Sequence, residues 1–471
     1  MEYEEIQDRM KIIRESPINL IPEEKMSKIR KNMAEKCPIT KKMDEEMRKH
    51  IAGGTEHQLT IKDPFVLTIK RSSGTRMWDM DDNEYIDWLM SSGACILGHN
   101  FPPLREEIIK VYQDLDPNIY YNNEWEIKSV EMIKKHVPSI ELMQYFQSGT
   151  EADMAALRIA RAFTRKEKII KFAGSYHGWC GQLCVDMHVP FSGAMEAHGI
   201  PSGVYKNTIV VPLNEVKLLE ESLKKWTEKR SGVAAVLVDP LGSDAGGIAT
   251  KKDWLKSIRE LCDKYNVLLI FDEVITGFRL GMGGAQEYFN IKPDLSVFGK
   301  LLTHGFPSSG AVGGRKDVMS NITIDVEPGG NNAFVGGTLR GNPLTAAATY
   351  WTLKFMEEHK AHIIAKNAAD DLVKKLNQLF EIDGRPYFAH NIESIVHFET
   401  FSPLSLDLSD LNNVEIMMKR NKAVNLIATA LLAQGIITKY GNRGFTCMQH
   451  TKDDNDRFIE AFENVLQMIP K

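Results

Sequence analysis

Cysteine is scarce in this chain. Six are spread over 471 residues, at Cys37, Cys95, Cys180, Cys184, Cys262 and Cys447, and they do not form the matched pairs of a structural zinc site or a small disulfide scaffold. Histidine offers no H-E-x-x-H and no other compact ligand spacing, so no metal site is expected. No apolar run is long enough to span a bilayer. The first residues, Met1-Glu2-Tyr3-Glu4-Glu5, are acidic where a secretory leader would be basic and then apolar, so the expected location is the cytoplasm. Charge of one sign is also missing. A formal net charge of -5 argues against a general binder of nucleic acid or of an anionic membrane. Nucleotide motifs fail too: Gly299-Lys300 does not complete G-x-x-x-x-G-K-[ST], and Gly281, Gly283 and Gly284 do not complete G-x-G-x-x-G.

What is present is an ordinary globular composition, 43% hydrophobic and 26% charged, in a chain too long for one core. The expected division is a helical extension over 1–50, a segment over 51–104 that adds strands to a smaller domain, a large domain over 105–345, and the rest of the smaller domain over 346–471. Prolines at 17, 22 and 38 cut the first stretch into two or three short helices, read as a solvated extension capping a subunit. Alternating residues over 65–69 and 76–80, with a turn at Asp81-Asp82-Asn83, predict small-sheet strands. In the large domain, short apolar strands (143–146, 169–172, 209–211, 234–238, 267–271, 295–298) alternate with helical stretches. That pattern predicts an α/β fold with a mainly parallel sheet sandwiched by helices, beside a smaller α+β domain. Helices are expected over 344–358 and 423–434, and a strand over 436–438.

Ligands in such sheets sit at the carboxyl ends of strands, and the polar residues of interest fall there. Ser148-Gly149-Thr150-Glu151 follows a strand and opens an apolar-striped helix with the spacing of a capping box, which aims free amides and a positive dipole end outward at a phosphate. Alone, it is equally a plain capped helix. Asp272 ends the strand 267–271, where a buried carboxylate requires a donor or cation such as a protonated pyridine nitrogen. Neighbouring backbone amides would serve as well. Val274, two residues on, could pack against the ring. Lys300 ends the strand 295–298 and its Gly299, where partial desolvation makes an amine a Schiff-base nucleophile. Most lysines are solvated surface charges, but the order and spacing of these three features reverse that judgement. They are the parts needed to hold and use pyridoxal phosphate. Tyr176, in Tyr176-His177-Gly178, could stack on a planar cofactor, and His177 is read as a structural histidine.

Ser148-Gly149-Thr150-Glu151-Ala152, Tyr176-His177-Gly178, Phe271-Asp272-Glu273-Val274, Gly299-Lys300 and Gly337-Thr338-Leu339-Arg340-Gly341-Asn342-Pro343 together resemble the class III aminotransferases. Gly283-Gly284-Ala285-Gln286-Glu287 and Gly310-Ala311-Val312-Gly313-Gly314-Arg315 resemble its glutamate-1-semialdehyde 2,1-aminomutase branch, and the likeness runs in order from Gly53 onward. The resemblance implies a fold-type I transferase that uses pyridoxal 5'-phosphate and works as a homodimer with shared active sites. By position it implies Lys300 as the covalent anchor, Asp272 on the ring nitrogen, Val274 and Tyr176 on the two ring faces, Gly149 and Thr150 on the phosphate, and Thr338 on the phosphate of the neighbouring subunit. Asn214 matches a family asparagine near the cofactor.

Departures cluster where that branch reads its substrate. Thr60 stands where the aminomutase has an arginine for the substrate carboxylate, Ser92 where it has a tryptophan, and Asn442 where it has a glutamate. Arg340 and Arg443 could receive a carboxylate from another direction, Arg443 being equally readable as half of a surface salt bridge. Pro64-Phe65-Val66-Leu67-Thr68-Ile69 is similar to a segment of relatives acting on β-amino acids. The expected activity is therefore an aminotransferase moving an amino group from an amino acid, conceivably a β- or unusual one, to a keto acceptor. The alternatives are an aminomutase of the glutamate-1-semialdehyde type, a racemase or epimerase of the same family and, remotely, a binding protein that has lost catalysis.

Overall fold

The computed structural model describes residues 1–57, 60–190, 192–193, 196–243, 246–322, 332–401 and 411–471; Gln58 and Leu59, in the segment between Gly53 and Thr60, lie outside them. Two compact units emerge. One is built from Met1–Pro102 with Ala361–Leu406 and Asp410–Lys471, the other from Pro103–Lys360 with Asp407–Ser409.

The first unit opens with three helices, α1 (Tyr3–Glu15), α2 (Glu23–Lys36) and α3 (Pro38–His50). They are not a solvated extension. Ile21 and Met26 are buried in the same cluster as Trp88, Phe398 and Phe458, where each fully buried apolar side chain contributes about 1.5–3 kcal/mol. The N-terminus of α3 is held by Asp81, whose carboxylate accepts from the amides of Ile39 and Thr40, both at 2.8 Å. Strands β1 (Ile69–Ser73), β2 (Arg76–Asp79) and β3 (Glu84–Asp87) form a meander that β13 (Ile436–Ile437) joins in parallel. The first of these strands starts at Ile69, where the alternation had placed its end. A second sheet holds β11 (Phe388–Ile392), β12 (Ile395–Glu399) and β14 (Arg443–Phe445), all antiparallel.

The second unit is organised by seven strands: β4 (Leu142–Phe146), β5 (Lys168–Phe172), β6 (Thr208–Val211), β7 (Val233–Val238), β8 (Leu268–Glu273), β9 (Leu295–Gly299) and β10 (Gly310–Gly314). Their order is β4-β10-β9-β8-β7-β5-β6, parallel from β9 through β6 and antiparallel where β10 meets β9 and β4. Every residue of β5, β7, β8 and β9 is buried, as a sheet covered on both faces demands. The helix Gly149–Thr164 packs on one face through Ala152, Ala155, Ala156, Ile159 and Ala160, small side chains that let it approach closely. Strand β10 was not expected. Three of its five residues are glycine, which weakens intrinsic strand preference, yet a Cβ at Gly310 would collide with the backbone of Ser148 and one at Gly314 with the carbonyl of Asp294. At Asn342 the chain enters the helix Pro343–His359, capped by the Asn342 side chain on the amide of Thr345 at 2.9 Å. Among the described residues no helix is long and apolar enough to cross a membrane.

Candidate active site

Strands β8 and β9 are hydrogen-bonded neighbours with Asp272 opposite Val297, so Lys300 emerges three residues beyond the level of Asp272 on the adjoining strand. Lys300 opens a short 3-10 turn (Lys300–Thr303) with φ at +41°, a left-handed setting that a non-glycine residue adopts only when its surroundings impose it. Its carbonyl accepts from the Ser309 hydroxyl at 3.1 Å and from the Gly305 amide at 3.3 Å.

Asp272 is buried, and its two oxygens meet two donors. The Val274 amide donates to Oδ1 at 3.0 Å, and His177 Nδ1 lies 2.6 Å from Oδ2. With the amide on one oxygen and an Nδ1 proton on the other, the carboxylate keeps lone pairs for one more N–H. Val274 then ties three segments together. A Cβ on Gly149 would stand 2.8 Å from one Val274 methyl, and a Cβ on Gly299 would stand 3.0 Å from the other. The phosphate-type segment, the carboxylate strand and the lysine strand therefore converge on one side chain.

The helix opening fits an anion. Ser148 caps it by accepting from the Glu151 amide at 3.3 Å, while the Glu151 carboxylate reaches back to the Gln147 amide at 3.0 Å, one residue short of the reciprocal bond a capping box implies. The first amides of the helix, at Gly149 and Thr150, have no intrahelical acceptor. Gly178, at φ +79°, comes so near Thr150 that any side chain there would collide with it. This brings the Tyr176-His177-Gly178 loop onto the same opening. Tyr176 is part-exposed, and one face of its ring stacks on His188 at 4.8 Å.

His177 is the residue the sequence reading undervalued. It is fully buried, and burial holds its pKa below the usual histidine value although Asp272 pulls it upward and Lys171 pushes it further down. Lys171 itself is buried on β5 and donates to the carbonyls of Leu183, Val185 and Asp186, with burial lowering its pKa to about 8. Only position could have revealed the role of His177, because its partner Asp272 lies 95 residues away. Asp153, on the helix behind Thr150, is also fully buried; an oxygen of Asp153 and single atoms of His177 and Asp272 all fall within 4.8 Å of one another.

Asn214 is already engaged by the 249–251 segment. Its amide is used in both directions, donating to the Ala249 carbonyl at 3.0 Å and accepting from the Lys251 amide at 2.8 Å, and β6 is an edge strand three places from β8. Arg340 donates to Gln144 Oε1 at 3.2 Å, and Thr338 lies exposed in the turn before it. Ser92, Asn442 and Arg443 belong to the first unit. Ser92 sits in the short helix Met90–Gly93 at φ +56°. Asn442 Oδ1 is buried without a hydrogen bond among the described residues. Arg443 is buried on β14 with Nε 3.3 Å from His397 Nδ1, which corrects the surface salt-bridge reading. Thr60 uses its hydroxyl on the His57 carbonyl at 3.0 Å.

The aminotransferase class-III family model matches residues 60–465. Among curated relatives, the glutamate-1-semialdehyde 2,1-aminomutase of Fusobacterium nucleatum subsp. nucleatum is 35% identical over 409 residues, covering 85% of this chain and 90% of that protein. A solved transaminase with PLP bound superposes with a TM-score of 0.79 at 25% identity, covering 91% of this chain and 97% of that one. The β-phenylalanine aminotransferase of Variovorax paradoxus superposes with a TM-score of 0.81 at 25% identity, covering 95% and 99%. The curated relative thus carries the name of the aminomutase alternative rather than of the aminotransferase placed first.

Proposed function

The chain belongs to the class-III aminotransferase family, and from that membership we propose that it moves an amino group with pyridoxal 5'-phosphate, Lys300 being the covalent anchor and Asp272 the partner of the ring nitrogen. The observation that carries this reading is the meeting of Gly149, Gly299 and Asp272 around Val274. When bound, the cofactor supplies an aldehyde for amines and a protonated ring that withdraws electrons from the substrate carbon. Asp272 holds the nitrogen proton in place, and the His177 and Val274 donors keep that carboxylate fixed. The Gly149 and Thr150 amides receive the phosphate at the positive end of the helix. Val274 would hold one face of the ring and Tyr176, which stacks on His188, the other. The Lys300 amine, once free, would be the base that takes a proton from the substrate carbon and returns it to the carbon on the other side of the transferred nitrogen.

A homodimer completes this arrangement. Tyr120, Tyr121, Trp179, Phe334 and Leu339 of the second unit are exposed, Tyr121 by 85%, which supports their burial against a second copy. Thr338, in the same exposed turn as Leu339, serves the phosphate bound by a second copy.

Two reactions share this machinery. The names of the curated relatives support intramolecular transfer of the glutamate-1-semialdehyde aminomutase type. A second reading, transfer from a β- or unusual amino acid to a separate keto acceptor, is supported by Thr60 standing where that branch carries its carboxylate-binding arginine. Loss of a charge-assisted bond of roughly 1.5–3 kcal/mol weakens the first substrate. The test is a single-turnover titration of cofactor-loaded protein, without acceptor, using glutamate-1-semialdehyde and a panel of α- and β-amino acids. Isomerised product with the cofactor unchanged supports the first reading, and one carbonyl product per site with loss of the cofactor's yellow colour supports the second. Full turnover retained by Lys300→Ala would overturn both.

A further inference from the structure

Asp153 is a carboxyl that nothing in this chemistry requires, in a place where a carboxyl is costly. It lies at the fifth position of the helix Gly149–Thr164, facing the sheet, and is 1% exposed. Its Oδ1 has no hydrogen-bond partner among the described residues. Neither has Nε2 of His177, the ring atom left over once Nδ1 faces Asp272. The two residues that carry these orphans belong to one cluster, in which a carboxylate oxygen of Asp153, a ring nitrogen of His177 and an oxygen of Asp272 lie within 4.8 Å of one another. Buried polar atoms are seldom left unpaired, and two orphans in one cluster are most simply explained by each other.

We propose that Asp153 is a positioning residue that acts through His177: its carboxyl, in the protonated form, donates towards His177 Nε2 directly or through one bridging water, and so fixes the ring as the tautomer that donates from Nδ1 to Asp272. The proposal rests on the reading of Asp272 as the partner of the cofactor nitrogen.

Three constraints converge on this assignment. Two carboxyls within 4.8 Å in a buried site do not both ionise without a cation between them. Asp272 has the two N–H donors, so the proton belongs on Asp153. The groups that face Asp153 agree: burial raises its pKa well above the carboxylate range, Asp272 and Cys180 raise it further, and Lys300 offsets only part of this. A neutral imidazole with one N–H has one lone pair, and a carboxylic acid has one O–H to give it. Without that donor the ring is free to adopt the other tautomer, which would turn a lone pair towards Asp272.

Asp153→Leu removes the donor at similar volume, and Asp153→Asn keeps an N–H donor that cannot ionise. The readouts are the equilibrium dissociation constant for pyridoxal phosphate and the imidazole ¹⁵N shifts of His177, which report the tautomer without turnover. Expected results are an Nδ1–H signature in wild type and Asp153→Asn, its loss in Asp153→Leu, and about tenfold weaker cofactor binding in Asp153→Leu alone, the scale of one buried hydrogen bond. If Asp153→Leu folds, keeps the Nδ1–H signature and binds the cofactor as wild type does, Asp153 has no such role. Should Asp153→Leu fail to fold, a wild-type spectrum with the proton on Nε2, or a loss of the signature in Asp153→Asn, overturns the assignment equally. Failure of wild type itself to bind pyridoxal phosphate would instead sink the underlying functional reading.

Discussion

Two buried histidine–aspartate pairs, one in each unit, have nearly the same geometry and opposite charge states. His99 Nε2 lies 2.7 Å from Asp87 in the first unit, and His177 Nδ1 lies 2.6 Å from Asp272 in the second. Burial lowers both imidazole pKa values. At His99 that effect is overcome by the hydrogen bond to Asp87, its charge and Cys95, and the pKa rises to about 10; at His177 burial wins, with the Lys171 cation adding to it. The first pair is an ion pair that also gathers the amides of Leu89 and Met90 onto Asp87. The second leaves a carboxylate held by a neutral ring, its charge not yet spent. Under the role proposed for Asp272, a residue that is to meet a cationic ligand is thereby kept from being neutralised by its own support.

The largest effect expected from breaking this contrast is at Asp272. Asp272→Asn should reduce turnover by roughly 10²–10³-fold, the scale of removing one preorganised electrostatic partner. It should change the stability of the cofactor-free protein little, because the imidazole partner of Asp272 is neutral and no buried cation is left unpaired. Asp87→Asn should do the reverse and lower unfolding free energy by about 3–5 kcal/mol, since it strands a buried cation. Denaturant titration of both apoproteins checks the comparison, and equal destabilisation would dissolve it.

Acid and base should separate the pairs. The folded pKa of His99 is raised, so the stability it contributes is complete below the unfolded value of about 6.5 and is lost as pH rises through about 10. The folded pKa of His177 is depressed, so its contribution is present above the unfolded value and is lost as pH falls through the folded one. Imidazole NMR titrations should show His99 still charged at pH 8 and His177 titrating below the usual histidine value. The opposite order would refute the contrast between the two pairs.

What was legible in the sequence follows from which signals are local. Strands β7, β8 and β9 are continuous apolar runs because a parallel sheet is covered on both faces, and Asp272 and Lys300 were found by reading to the ends of such runs. Strand β10 was hidden because its glycines answer to the backbones of Ser148 and Asp294, contacts that no window of sequence contains. The first fifty residues read as solvated because their apolar residues are sparse, yet Met26 and Met33 are buried. His177 was read as structural and Asp153 was not singled out for one reason: a histidine in a loop and an aspartate on a helix acquire meaning only when a distant strand brings Asp272 into their cluster. Arg443 misled in the other direction, since arginine is ordinarily a surface residue and here is buried against His397.

Asn214 gives the smallest test, and it concerns how far resemblance carries a residue's role. Position alone marks it as a cofactor neighbour, but its side chain bridges the carbonyl of Ala249 and the amide of Lys251 while its own backbone stands at φ +66°. Those two bonds tie the segment beyond edge strand β6, three strands from β8 in the sheet order β8-β7-β5-β6, to residues 249–251 and leave the side-chain amide occupied. Asn214→Ala should therefore cost on the order of 1 kcal/mol of stability and leave pyridoxal phosphate affinity within about twofold of wild type. A tenfold loss of affinity at unchanged stability would return Asn214 to the site, and would mean that the loop it ties, rather than the strand ends alone, shapes the cofactor's surroundings.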